Sequence, residues 1–275
     1  MKRLILSVCI VFALISCTDT KPKSEVGPGT QEEGFSIALI PTTECLPLYY
    51  ASEKGWDKAQ KFPLDIHSYM SQREASAALA DSMDAGFACR ESAEQMISSG
   101  KYKRGLLLSG GWTLLSSPGS RIRKVSDMAD KVVAIAPGTL TESLAKGTTA
   151  KAGLGGEAVM YPHVISYATA TSMLCFNQID ATVLPEPFAT FALSKKAASL
   201  ETLATEDTGL ILLKDKRKSK YSEKTVNEKL KMLYNMAVDS LAVANEKSVK
   251  RLIQSACKLS TDDLQARKIK FKKAK

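Results

Sequence analysis

Histidine and tryptophan are scarce in this chain, with two of each among 275 residues. His67 and His163 stand far apart, and the sequence contains no H-E-x-x-H, no paired C-x-x-C and no G-x-S-x-G. The common zinc-hydrolase, thiol-redox and serine-hydrolase patterns are therefore missing. Gly100-Lys101 lacks the loop that would make it a phosphate-binding G-x-x-x-x-G-K-[ST]. No apolar run reaches the about 20 residues that a permanent membrane-spanning helix needs. Aromatics make up 7% of the chain. The two Lys-rich stretches, 214–231 and 267–275, carry only Tyr221 and Phe271, so the interleaved basic-aromatic face of a nucleic-acid binder is absent. No cofactor, no metal and no nucleic-acid partner is expected. What is present, 44% hydrophobic and 24% charged residues, is the composition of a folded globular protein. The 38 basic against 29 acidic residues give a formal +9. An excess of that size suits several kinds of partner and chooses none. The Lys-rich stretches read as solvated surface and a frayed tail, with contact to anionic lipid as the alternative.

The first seventeen residues read as an address. Lys2 and Arg3 precede a twelve-residue apolar run, Leu4 to Ile15, broken only by Ser7, the size of a signal-peptide core. It ends in Leu14-Ile15-Ser16-Cys17. This resembles a bacterial lipobox, in which Cys17 becomes the lipid-modified first residue of the mature chain. The alternative is an ordinary secretory leader with a chance cysteine. The lipobox implies a palmitate-type lipid anchor that holds an exported protein to the bacterial cell envelope, facing the periplasm or in the outer membrane. Residues 18–34 contain two Pro, one Val and no large aromatic, too little apolar surface to fold, and read as a flexible tether.

From Phe35 the pattern alternates strand and helix. Strands are expected over 35–40, 64–69, 84–88 and 106–108, the last continuing past Gly110-Gly111. Helical patterns cover 44–60 and the Ala-rich stretch after Ser71, whose Glu74 completes a capping box. The rhythm restarts with strands over 131–136, 158–161 and 181–184 and helices over 142–152 and 167–176. Thr139 or Thr141 caps the first of these helices. A returning strand over 209–213 and a helical pattern over 222–260 follow. Strand–helix–strand units at this spacing imply right-handed crossovers and mostly parallel sheets. The fold class is α/β.

Three passages go beyond a generic α/β pattern: residues 66–86, ending in SMDAG; DMADKVVAIAPGTLTESL at 127–144; and ISYATATSML at 165–174 with QIDATVLPEPFA at 178–189. Together they resemble the substrate-binding proteins of ABC importers, in the branch that binds nitrate, sulfonates, taurine and thiamine precursors. The resemblance covers roughly residues 35–195. It implies a two-lobed periplasmic-binding-protein-like fold, each lobe a mostly parallel sheet flanked by helices, with ligand in the cleft. Lobe 1 is then 35–112 plus 190–275, and lobe 2 is 113–189. It further implies a monomer with a small-molecule ligand that is anionic, zwitterionic or heterocyclic, an ABC permease as partner, and no enzymatic reaction. Thiamine-pyrimidine and menaquinone-pathway enzymes share the general fold and remain the enzymatic alternative, although the Cys-rich motif of the former is not visible. A ligand-free adaptor lipoprotein is the third reading.

In open parallel sheets ligands bind beyond the carboxyl ends of the strands. That places Thr42, Thr43 and Glu44 after the first strand, Arg73 after the second and Arg90 after the third. Trp112 falls at the first crossing and Glu186 at the return. Gly138, Thr139, Leu140 and Thr141 offer N–H groups and hydroxyls at a helix start suited to an oxyanion, and Tyr167 follows the next strand. Arg90 is the first choice for a ligand charge; Trp112 could equally be core, and Glu44 or Glu186 facing inward would argue against a simple anion pocket. Cys45 and Cys89 follow strands that are neighbours in the related fold, which implies a possible disulfide at the cleft edge; two small buried residues are the alternative and the slightly favoured reading.

Overall fold

The computed structural model describes residues 34–275. The expected signal peptide, Cys17 and the tether up to residue 33 lie outside the described residues. No helix of the described residues is long and apolar enough to cross a membrane.

Two sheets form the frame. The first has the order β2-β1-β3-β9-β4, built from β1 (Phe35–Leu39), β2 (Leu64–Ser68), β3 (Ala85–Cys89), β4 (Tyr102–Leu108) and β9 (Gly209–Lys214). β1 pairs parallel with β2 and β3, whereas β9 runs antiparallel between β3 and β4. The second sheet has the order β6-β7-β5-β8, from β5 (Trp112–Ser116), β6 (Val133–Ala134), β7 (Ala181–Pro185) and β8 (Ala198–Ala204). Here β5 runs against β7 and β8, and β6 runs along β7. Each lobe is thus parallel except for the one strand that the chain enters on crossing from the other lobe. The fully buried, unalternating runs of β3, β5 and β7 suit strands covered on both faces.

The crossings lie at Ser109–Gly111, between β4 and β5, and at Thr205–Thr208, between β8 and β9. The sequence reading ended lobe 2 at residue 189. The structure carries it on through α7 (Phe188–Ser194) and β8, because residues 198–204 pair with β5. β8 escapes a sequence reading because it is a largely solvent-facing edge strand, Ala-Ser-Leu-Glu-Thr-Leu-Ala, with no apolar run. The strand expected at 158–161 is reduced to an isolated bridge between Val132 and Met160, preceded by a 3-10 turn at Gly156–Ala158.

The helices are shorter than the periodicity suggested. The pattern over 44–60 divides into α1 (Leu46–Glu53) and α2 (Trp56–Ala59) at Gly55, whose φ of +71° only glycine adopts freely. Ser71 caps α3 (Gln72–Asp81) by accepting from the Glu74 N–H at 3.3 Å, as expected. α4 (Arg90–Ser98), α5 (Leu140–Lys151) and α6 (Tyr167–Cys175) follow their strands. The C-terminal helical pattern breaks at Ala244, which is extended, and Asn245 then caps α9 (Glu246–Cys257) through the Ser248 N–H. α8 (Glu223–Val243) buries Val226, Leu230, Leu233, Tyr234, Ala237 and Leu241 and packs on α1.

The Lys-rich end is not frayed. Lys275 donates its backbone N–H to Leu107 O (3.0 Å) and pairs with Asp207 (2.7 Å). Lys272 meets Glu206 and the Thr205 carbonyl, and Lys273 pairs with Asp239 (2.9 Å). Further back, Asp263 pairs with Lys195 of the second lobe (2.9 Å). The segment after α9 therefore lies along the return crossing.

Candidate functional site between the lobes

Residues after β1 make a compact turn in which the Cys45 and Leu46 N–H groups both donate to Thr42 O at 2.9 Å. Thr42, Thr43 and Glu44 are completely buried there. Glu44 joins both crossings. Its Oε1 accepts from Trp112 Nε1 (2.8 Å) and from Thr208 Oγ1 (2.9 Å), and Thr208 Oγ1 in turn accepts from the Gly110 N–H (2.9 Å). Gly110 is obligatory beneath the carboxyl: a Cβ there would stand 2.3 Å from Glu44 Cδ. Glu44 Oε2 has no hydrogen-bond partner, and neither do Thr42 Oγ1 and Thr43 Oγ1. Buried polar atoms are normally paired, so three on one turn without a hydrogen bond of standard geometry are a conspicuous exception.

The second lobe closes over this turn. The Thr43 N–H donates to Glu186 O (2.9 Å), and Trp112 meets Tyr167 edge-to-face at 5.7 Å. Tyr167 leans in turn on Phe188. The starts of α4 and α5 touch across the cleft. Ser92 Oγ donates to Gly138 O (2.7 Å), and Ser143 Oγ donates to Glu91 Oε1 (3.0 Å). Thr139 occupies the N-cap position of α5, but its hydroxyl turns back to donate to Ala136 O (2.7 Å) and caps nothing. Thr141 Oγ1 is buried in the first turn of α5 and makes no hydrogen bond of standard geometry.

Burial dominates the titration of the site. It raises the Tyr167 phenol well above its ordinary range, with Cys89, Glu44 and Cys45 adding and the Thr141 side chain opposing. The Cys45 thiol is raised well above its usual value by burial and then by Glu44, and Cys89 is raised by burial. Both are buried and free, so the possible Cys45–Cys89 disulfide is not formed and the pair are two small buried residues. Cys89 Sγ sits instead against Ser92 Oγ at 3.3 Å.

Glu186 is raised by burial and by Glu44, with the Thr190 side chain and N–H opposing. An acid so raised favours its neutral form in the fold. Ionisation therefore costs stability once the pH passes the ordinary carboxyl value of about 4.3. Glu186→Gln is expected to raise the melting midpoint by a few degrees at neutral pH. The gain should vanish in acid below that ordinary value, as paired melts at the two pH values would show.

No protein-family model matches the chain, and no curated protein matches its sequence. Solved structures do match its shape. The alkanesulfonate-binding protein SsuA from Xanthomonas axonopodis pv. citri, bound to MOPS, superposes with a TM-score of 0.71 at 18% identity over 88% of this chain and 86% of its own. The periplasmic nitrate-binding protein NrtA from Synechocystis PCC 6803 gives 0.67 at 13% identity over 84% and 69%. A ligand-binding component of an ABC-type import system from Staphylococcus aureus, with zinc bound, gives 0.68 at 16% over 87% and 85%. The fold is that of the periplasmic binding proteins.

In this periplasmic-binding-protein fold most of the residues singled out from sequence come together. Thr42, Thr43, Glu44, Trp112, Thr141, Tyr167 and Glu186 meet at the closed interlobe surface, with Thr139 and Leu140 buried at its α5 edge and Gly138 at its rim. The two arginines do not join them. Arg73 and Arg90 are exposed on the first turns of α3 and α4, and neither guanidinium pairs with another described residue. Only the Arg90 backbone takes part, donating to Thr208 O. Among the described residues, no group of three or more His, Cys, Asp and Glu is placed to hold a metal ion.

Two members were missed. Thr208 precedes the returning strand, where a Thr-Gly pair reads only as a turn. Tyr234 reads as one more apolar position on α8. Its hydroxyl is buried without a partner, and its phenol is raised well above the ordinary range by burial, Cys45 and Glu44.

Proposed function

We propose that this chain is the solute-binding component of an ABC importer, lipid-anchored through Cys17, which closes its two lobes on a small molecule and presents it to a permease. The observation that carries the reading is the set of buried polar atoms on facing lobes that make no hydrogen bond of standard geometry: Glu44 Oε2 and the Thr42 and Thr43 hydroxyls on one, the Thr141 hydroxyl on the other. A closed surface with unsatisfied hydrogen-bonding capacity on both sides suits a ligand that completes it. The neighbours' roles in alkanesulfonate and nitrate binding and in ABC-type import support the same reading.

No bond changes in such a cycle. The ligand binds the closed arrangement more tightly than the open one, and that difference drives closure. Ser92–Gly138 and Thr43–Glu186 join the two lobes, so an opening of the lobes would break them. The protonated thiols of Cys45 and Cys89 give no activated nucleophile at the site. A thermal-shift screen across amino acids, sulfonates, amines and heterocycles tests the proposal. A ligand present at about 100 times its dissociation constant stabilises by about 2.7 kcal/mol, which is plainly visible as a raised midpoint. A blank across all classes favours the adaptor reading instead.

A further inference from the structure

The interlobe set consists of the buried Glu44, the half-buried Glu186, buried threonine and tyrosine hydroxyls and the Trp112 indole. Glu44 and Glu186 lie close enough for Glu44 to raise the Glu186 carboxyl, and the Arg90 and Arg73 guanidiniums stay in solvent. Taking the interlobe surface as the ligand site, we infer that its ligand brings a cationic or N–H-donating group to Glu44, in the manner of an amine, an amidine or an amino-substituted heterocycle, and that simple oxyanions are rejected.

The carboxyl of Glu44 is half used. Oε1 is filled by the Trp112 N–H and the Thr208 hydroxyl, which lock its orientation, while Oε2 is buried and bare. An ionised carboxyl oxygen only accepts, so the partner that completes Glu44 in that form is a donor. A charge-assisted N–H to carboxylate bond is the strong form of that contact. The Thr42, Thr43 and Thr141 hydroxyls, none of which makes a hydrogen bond of standard geometry, can accept from or donate to the rest of the same molecule. A desolvated oxyanion would find no buried cation at this surface, because the Arg73 and Arg90 guanidiniums are exposed. The ligand classes of the structural neighbours named for alkanesulfonate and nitrate thus do not transfer with the fold.

The test uses the full-length protein in detergent and calorimetric titration with agmatine, putrescine and 2-aminopyridine against methanesulfonate and nitrate. At least one of the first three is expected to bind, and neither anion should. Glu44→Gln, which preserves shape and can still accept from Trp112 and Thr208, should weaken that binding by at least about tenfold. Binding of an anion but of no donor probe would overturn the class inference while leaving the solute-binding reading intact. Unchanged donor affinity in Glu44→Gln overturns the assignment to Glu44. Silence from all five probes overturns the class, and silence in the broader screen as well removes the solute-binding reading. Comparing the probe classes in the unaltered protein needs no variant, so the result survives if Glu44→Gln does not fold.

Discussion

Replacing Trp112 by alanine is expected to lower stability by about 3–5 kcal/mol, the usual cost of emptying a large buried aromatic site. For a folded unit of this size the melting midpoint should then fall by roughly 6–20 °C. The side chain is wholly buried at the first residue of β5, where the chain enters the second lobe, and it is opposed in the sheet by Pro185 and Ala204. Its ring fills the space beside Tyr167, and its N–H occupies Glu44 Oε1. The truncation therefore removes packing at the crossing and a donor from a buried carboxyl together. Trp112→Phe separates the two, because the ring is largely restored and the donor is not. It should recover most of the lost midpoint but little of any ligand affinity that depends on how Glu44 is held. Calorimetric melts of both variants decide this, and a change of only a degree or two in Trp112→Ala would refute the central place given to the indole.

Gly110→Ala is the second large effect. The added methyl would lie 2.3 Å from Glu44 Cδ and 2.5 Å from each carboxyl oxygen, inside any real contact distance. Glu44 cannot retreat without leaving Trp112 and Thr208, so the cost is at least the ~1–3 kcal/mol of an overpacked core. Ligand binding should fail even where the variant remains folded, because the carboxyl has been moved. Gly147→Ala is the matched control. It lies within α5, where a Cβ meets nothing within 4 Å, and it should stabilise by up to about 1 kcal/mol through helix propensity. A Gly110→Ala protein that melts and binds like its parent would show that Glu44 is not fixed as described.

The frame was legible where a single local signal decided it. The continuous apolar runs at β1, β3 and β7 and the Ser71 cap of α3 were visible without tertiary information. What escaped was decided by partners distant in sequence. β8 is a strand because β5 lies beside it, not because Ser199 and Glu201 favour one. The helical period from 222 to 260 continues through Ala244, and only the Asn245 cap shows where one helix stops and the next begins. At the site, positions beyond strand ends were found by rule, yet the link between Glu44 and Trp112 spans 68 residues and leaves no mark on either neighbourhood. Arg90 shows the limit of the rule. Its position after β3 is correct, but a helix start can turn a long side chain outward while its backbone serves the site.

The lysines that end the chain give the protein an electrical belt. Lys272 and Lys275 hold Glu206 and Asp207, on the very strip where the chain passes back between lobes, and Asp263 reaches across to Lys195. Pairs as exposed as these weaken as salt shortens the reach of charge, to about 8 Å at physiological ionic strength. Raised ionic strength therefore loosens the hold of the C-terminal segment on the return crossing and on the second lobe.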